Sequence, residues 1–499
     1  MNIASSTIQD VRRAEAQLLQ PGDLPTARSA LVGQEPADQP PLLDVIDPST
    51  GEIISSVALG TEHDVDVAVA AAVVAQRAWQ KLVPRQRSHV LHAVADRLVE
   101  QRQLLARLEA ADTGKPMSVA LNDIDVSVDA FRFMAGALRA TSSVAAGEYE
   151  ADHFSVIVRE PLGVVGAITP WNFPLVMAAQ KIATILAAGN SIVLKPSEIT
   201  PLTTIKFAEL VADLLPPGLL NVVTGLGNVV GAAIAAHPDI ALVSVTGSTA
   251  SGRAVARIAA DSVKRVHLEL GGKAPVIVFA DADIERVADT LSVASFYNSG
   301  QDCSAACRVL VHESVADQLV RALVDRVNDI SVGEPGAGED IQLGPVVSEA
   351  HFRRVLDHLD RAYAEGARAA VGGSAYPGAG FFIQPTVLVD VPAGAACTRE
   401  EIFGPVLTVE TFSSDEEAIE RANSVELGLS ASVWTRDGSR GDAAAAQLDA
   451  GTVWVNCHGV IPSEMPWGGV KSSGYGRDMS MYGLDDYSRT KHLMRYVGR

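Results

Sequence analysis

GVVGAITPWNFPLVMAAQKIATILAAGNSIVLKP, residues 163–196, sets two short β-branched runs on either side of one long helical one. GVVGAITP and NSIVLKP are nearly continuous apolar stretches, as strands buried on both faces are. Between them, LVMAAQKIATILAAG spaces its apolar residues as a helix does. The alternation continues through TPLTTIKFAELVADLL, LNVVTG, VVGAAIAAH, ALVSVTG, TASGRAVARIAADS and APVIVFA. Such alternation predicts an α/β fold, an open parallel sheet covered by helices on both faces. Ligands bind such sheets at the carboxyl ends of the strands, so the residues just after each strand matter most.

Working outward, TEHDVDVAVAAAVVAQRAW and RQRSHVLHAVADRLVEQRQLLARLEA read as amphipathic helices before the sheet. A second alternating block follows residue 300, from CRVLVHESVADQLVRALVDRV through LSASVWTRD to GTVWVNC, and reads as a second α/β unit. The tail SRTKHLMRYVGR is a strand without a local partner, which suggests a docking arm or an inter-subunit strand. PGDLPTARSALVGQEPADQPP, near the amino end, reads as a loosely ordered arm.

A chain of 499 residues exceeds one hydrophobic core, so two or three domains are expected. A net charge of −20 disfavours nucleic acid and anionic membranes as partners. No apolar run approaches the ~18 residues that span a bilayer. The first twenty residues carry Asp10 and Glu15 and no signal-peptide hydrophobic region. Four cysteines cannot make a disulfide scaffold in so long a chain and fit a reducing, cytoplasmic setting.

The ends of the first-block strands carry TPWNFP, KPSE, VTGLG and VTGSTASG. VTGSTASG puts a glycine turn and hydroxyls at a helix N-terminus, suited to a phosphate; alone it reads as an ordinary cap. Lys195 and Glu198 of KPSE could hold a ribose or its phosphate, or be solvated charges. GLGNVVG is neither the usual dinucleotide fingerprint nor a Walker loop. Together, four such strand ends around one sheet point to a nucleotide. In FYNSGQDCSAACR, residues 296–308, Cys303 and Cys307 have no nearby second pair to complete a zinc site. On a helix they would share a face. Cys303 follows a polar glycine turn that can expose it, whereas Cys307 suits packing. A catalytic Cys303 needs a base and an oxyanion donor. HLELGGKAP supplies Glu269, at the start of a fresh strand, and TPWNFP supplies Asn172.

PWNFP, KPSE, VTGSTASG, LELGGKAP, GQDC, EIFGP and WGGVKSSGYGRD, in this order, resemble the NAD(P)-dependent aldehyde dehydrogenase superfamily. The likeness runs from DPSTGE (47–52) to the tail. NSGQDCSAACR and SEMPWGGVKSSGYGRDMSMYGLDDY are further similar to bacterial γ-aminobutyraldehyde dehydrogenases. The resemblance implies an N-terminal arm (1–40), a discontinuous Rossmann-type NAD-binding domain (41–141 and 163–269) and a catalytic domain (270–478). It also implies a small β oligomerisation domain (142–162 and 479–499), hence a homodimer or homotetramer. Carried over by position, Cys303 is the nucleophile, Glu269 the base, and Asn172 with the Cys303 amide the oxyanion hole. Lys195 and Glu198 hold the adenosine ribose, with Gly227 on the nearby glycine loop, and Ser248 meets the pyrophosphate. Glu401 and Phe403 position the nicotinamide ribose and ring, and Trp171 lines the site. No metal is implied. The thiolate, its pKa lowered by its surroundings, adds to the aldehyde. Hydride leaves to the nicotinamide, and Glu269 activates water to hydrolyse the thioester.

Phe173, Ile461 and Trp467 occupy pocket positions of the family, with Glu464 close by. Asp123 and Asp125 lie on NDIDVSVDAFRF, the helix that lines the substrate tunnel in relatives. Aromatic walls with carboxylates suit an ammonium head, so the expected substrate is an ω-aminoaldehyde such as 4-aminobutanal. Succinate semialdehyde, betaine aldehyde or a broad range of aldehydes are the alternatives; the first would want an arginine in the pocket, and the sequence offers no obvious candidate. Gln180 and Ile461 stand where many relatives carry an aromatic ring, which makes the tunnel wider or more polar. Glu198 should repel a 2′-phosphate, favouring NAD over NADP. A non-catalytic structural relative would be expected to lack Cys303, Glu269 or Asn172, and all three are present.

Overall fold

The computed structural model describes residues 23–24, 41–141, 145–338 and 340–498. The arm expected over 1–40 therefore lies outside the described residues except for 23–24, as do 142–144 of the expected oligomerisation segment.

The α/β expectation holds. Six strands form one sheet in the order Gly474–Tyr475, Arg265–Glu269, Ile240–Thr246, Val164–Ile168, Ser191–Lys195, Leu220–Val222. All neighbours run parallel except the short edge strand Gly474–Tyr475. Its inner strands are buried on both faces, all five residues of Ser191–Lys195 among them, which is why they read as unbroken apolar runs. The helix Pro174–Ala187 covers it with a buried flank that includes Leu175, Ile182 and Leu186.

Two readings of the strands need correcting. Arg265–Glu269 is a strand of this sheet, hidden in the sequence by the charged and polar RVHLE pattern. Glu269 accordingly ends a strand rather than starting one. Pro275–Val278 leaves the first sheet and pairs with Arg308–Val311 and Ser432–Trp434. It belongs to a seven-stranded sheet ordered Arg368–Val371, Thr386–Val389, Val406–Phe412, Arg308–His312, Pro275–Val278, Ser430–Trp434, Thr452–Val455. Alternation alone cannot mark a change of sheet, because both sheets use the same apolar strands.

The tail does have a partner within the chain. Ser488–Tyr496 pairs antiparallel with His153–Pro161 over nine residues, and Ala146–Glu150 completes a three-stranded sheet. Every residue of the tail strand after Ser488 is exposed. No helix among the described residues is long and apolar enough to cross a membrane.

Candidate active site

Register brings the chemistry to one sheet edge. Ile168 pairs with Lys195 and with Val245, and Thr246 pairs with Glu269. The segment Thr169–Phe173, Lys195, Ser248 and Glu269 thus leave the sheet on the same side, where a cavity of about 740 Å³ opens. Cys303, Asn172 and Glu269 all line it, as do Trp171, Ser248, Glu401 and Phe403. Phe173, Asp123, Ile461 and Trp467 line it too, whereas Lys195, Glu198, Gly227 and Glu464 do not.

Cys303 follows a turn rather than riding on a helix. Asn298, Ser299 and Gly300 take φ values of 49°, 58° and 69° in succession. Left-handed backbone of this kind costs of order 1–3 kcal/mol at each non-glycine residue and persists only where surroundings impose it. Here Ser299 Oγ donates to Gly344 O (2.8 Å), and Val347 N donates to Gln301 Oε1 (2.9 Å). A Cβ on Gly300 would lie 2.2 Å from Gly404 O, and one on Gly272 would lie 2.1 Å from Cys303 O. The loop that carries Cys303 is therefore wedged between LELGGK and EIFGP. Cys307 directly precedes the strand Arg308–His312. All four cysteines are free.

Asn172 is aimed by its neighbours. Its Nδ2 donates to Gln301 O (3.0 Å), while Asn298 Nδ2 (2.9 Å) and Lys115 Nζ (3.0 Å) donate to its main-chain carbonyl oxygen. Nothing else engages its amide nitrogen, leaving one N–H for an oxyanion. Lys115 escaped the sequence reading altogether. It is fully buried, pairs with Asp123 (2.6 Å) and Glu109 (3.3 Å), and lies over the Phe173 ring at 4.7 Å. Removing one partner from such a buried group costs about 3–5 kcal/mol, so this ammonium holds the cavity wall together. The signal that could have found it is its place between Gly114, at φ 78°, and Pro116.

The tunnel acids need correction. Asp123 reaches the cavity, but it is not a free carboxylate: Lys115 holds it, and burial lifts its pKa to about 7 against that pull. Asp125 faces outward and binds Arg102 at 2.6 Å, because the two positions point to different sides of one helix. Asp302, unremarked in the sequence, lines the cavity beside the nucleophile. Arg354 also lines it, on the Glu401 side, and donates to Glu401 O (3.0 Å).

Glu269 is 3% exposed, and neither carboxylate oxygen has a hydrogen-bond partner. Burial, with Asp478 adding to it, holds its pKa well above the usual carboxylate range, against Lys181 and Arg477. Behind it lies a polar cluster that the sequence did not reveal. Lys181 Nζ donates to Asp478 Oδ2 (2.9 Å) and Ser244 Oγ (2.8 Å), and Tyr487 OH donates to Ser244 Oγ (2.7 Å). His267 stacks on Tyr487 with its Nε2 3.8 Å from Glu269 Oε1. His458 was missed as well; it bridges Ser432 Oγ (2.9 Å) and Ser304 O (2.8 Å), pinning the loop just after Cys303.

The thiol departs from expectation. Burial raises the Cys303 pKa well above its ordinary value, and the Asp302, Glu401 and Glu269 carboxylates raise it further. Only a backbone hydrogen bond at Cys303 itself pulls the other way, and it does not offset the burial.

The cofactor positions divide between groove and cavity. Lys195 Nζ donates to Glu198 Oε2 (2.8 Å) and Pro196 O (2.9 Å), and the Gly227 amide also faces Glu198. Ser248 caps the helix Thr249–Ala260 through Ser251 N, as an ordinary cap does. At neighbouring Gly247 an added Cβ would meet nothing within 4 Å, which leaves room for a phosphate. Across the cavity, Gly272 N donates to Glu401 Oε1 (2.8 Å). Phe403, at φ 61°, meets Trp171 edge-on at 5.2 Å, and His351 Nε2 lies 2.6 Å from Phe403 O. An open helix N-terminus, ribose-sized carboxylates and an aromatic wall fit a nicotinamide dinucleotide.

Comparison with known proteins agrees with this geometry. The profile described as "Aldehyde dehydrogenase family" matches residues 35–493. The chloroplastic betaine aldehyde dehydrogenase of Beta vulgaris is 42% identical over 462 residues, covering 90% of this chain and 92% of that protein. The peroxisomal aminoaldehyde dehydrogenase 2 of Pisum sativum is 42% identical over 466 residues, covering 91% and 92%. A solved NAD+ complex of aldehyde dehydrogenase from Bacillus cereus superposes with a TM-score of 0.90 at 40% identity, covering 92% of this chain and 94% of that one.

Proposed function

The chain belongs to the aldehyde dehydrogenase family, and from that premise we propose that it oxidises an ω-aminoaldehyde such as 4-aminobutanal to the carboxylate with NAD. The observation that carries this reading is one cavity shared by Cys303, Asn172 and Glu269 and walled by Phe173, Trp467 and the acids Asp123 and Asp302. Aromatic faces favour a cationic head group. Relatives named for aminoaldehyde and betaine aldehyde support the same class.

Bound NAD supplies the two-electron acceptor. Lys195 and Glu198 would hold its adenosine ribose, Ser248 its pyrophosphate, and Glu401 with Phe403 the nicotinamide end. Cys303 Sγ adds to the aldehyde carbon while Asn172 Nδ2 and the Cys303 amide receive the oxygen. One such donor is worth about 2.7–4 kcal/mol. Oxidation leaves an acyl thioester on Cys303. Glu269 then accepts a proton from water, whose oxygen attacks the acyl carbon and releases the carboxylate and the free thiol. Glu198 disfavours a 2′-phosphate and so favours NAD over NADP. The cytoplasmic setting read from cysteine usage stands as a proposal beside relatives named for the peroxisome and chloroplast.

The test is a kcat/KM panel with NAD and NADP over 4-aminobutanal, 3-aminopropanal, betaine aldehyde, succinate semialdehyde and a simple alkanal. The cationic aldehydes are expected to lead, with NAD preferred. A clear lead for succinate semialdehyde would end the cationic reading. The exposed three-stranded sheet is further read as the contact between copies in a homodimer or homotetramer. Light scattering on the intact chain tests it, and a monomer at micromolar concentration would remove it.

A further inference from the structure

The helix Pro174–Ala187 turns one stripe toward the cavity: Phe173 just before it, then Val176, Met177 and Gln180. That i, i+3, i+4, i+7 spacing is a single helical face. Only Gln180 on this face is polar. It is 8% exposed, and the one hydrogen bond its side chain makes among the described residues runs from Nε2 to Met479 Sδ at 3.6 Å. A thioether is a weak acceptor, so the amide is nearly buried with its carbonyl oxygen unengaged. Met479 packs with Trp467, Trp454 and Leu429, and Cys303 lies against the same cluster. Gln180 thus lines the same chamber as Cys303, with no hydrogen bond to its side-chain oxygen among the described residues.

A substrate that engages this oxygen must bring an N–H or O–H. Building on the aldehyde dehydrogenase reading, we propose that Gln180 Oε1 accepts a hydrogen bond from the substrate's distal group, selecting aldehydes with a primary ammonium terminus over those with a quaternary one. The aromatic faces attract either cation, and the two buried carboxylates, Asp123 already paired with Lys115 and Asp302 beside Cys303, do not separate them, so these groups cannot tell the two apart. A trimethylammonium group has no N–H and would leave the amide orphaned. A site built around a hydrogen bond rejects the analogue lacking it more strongly than an apolar wall rejects a methyl group. A hydroxyl terminus would satisfy the oxygen but gain no cation–π attraction from the aromatic faces.

The test measures NAD-dependent kcat/KM for 4-aminobutanal, 4-trimethylammoniobutanal and butanal in the intact wild-type enzyme and in Gln180→Leu and Gln180→Glu. The wild type is expected to favour 4-aminobutanal over the trimethylated aldehyde at least tenfold. Gln180→Leu should lower kcat/KM for 4-aminobutanal by roughly 10–100-fold, the worth of a hydrogen bond to a charged group, and change the other two substrates by no more than about threefold. Gln180→Glu keeps an acceptor oxygen and should keep the preference. Butanal turnover reports that each variant is folded and competent. An equal fall on all three substrates, or an unchanged preference in Gln180→Leu, overturns the proposal and leaves the family chemistry intact. A wild type that oxidises none of the three overturns both readings.

Discussion

Cys303→Ala is expected to abolish aldehyde-dependent NADH formation, a loss on the order of 10⁴-fold or more in kcat, while NAD binding is retained. The size follows from covalent catalysis: without a sulfur there is no adduct, and the positions read as the oxyanion hole have nothing to stabilise. The loop itself should survive the change. Its shape is imposed by Ser299 on Gly344 and by Val347 on Gln301, neither of which involves the thiol. Retention of NAD binding by titration would separate lost chemistry from lost folding. A variant that keeps activity within tenfold of the wild type would remove Cys303 from the mechanism.

Glu269→Gln should split the reaction. The first turnover should still release about one NADH per site, because neither addition to the aldehyde nor oxidation calls on this carboxylate. Steady turnover should then fall by roughly 10²–10⁴-fold, the usual worth of a general base. Rapid mixing would show the burst, and an undiminished steady rate would exclude Glu269 as the base. The pH profile carries a second mark. Burial and Asp478 hold the Glu269 pKa above the ordinary carboxylate range, and only the ionised form can accept a proton. Wild-type kcat should therefore climb with pH through that raised value, being low where the carboxyl is protonated. In Glu269→Gln this climb should disappear.

What the sequence disclosed was governed by whether a residue's task leaves a local mark. Buried parallel strands are apolar along their length, so GVVGAITP and NSIVLKP were legible at once. RVHLE was not, because a strand that carries Glu269 and His267 into a polar cluster loses the apolar signature. Cys303, Asn172 and Glu269 could be singled out because glycines and prolines beside them marked special backbone. Lys181 and His458 reach partners more than sixty residues away, and nothing adjacent distinguishes them from surface charges. Asp123 shows the same limit from the other side: its place at the cavity could be expected, but its pairing with Lys115 could not. The chemistry likewise called for a lowered thiol pKa, and only the structure showed burial, with the Asp302, Glu401 and Glu269 carboxylates, raising it.

The short strand Gly474–Tyr475, which closes the edge of the sheet along Glu269 and Leu268, has a consequence for synthesis on the ribosome. Roughly 200 residues separate the two strands, and at about 5–20 residues per second the wait between them is on the order of 10–40 s. Through that interval the nascent chain presents Arg265–Glu269 as an open sheet edge, with neither Asp478 nor Tyr487 yet made to surround the base. Open edges recruit other strands, so this is the stage at which the polypeptide most needs a chaperone. Ribosome-bound chains halted just before residue 474 should be the most aggregation-prone, and those extended past the tail the least.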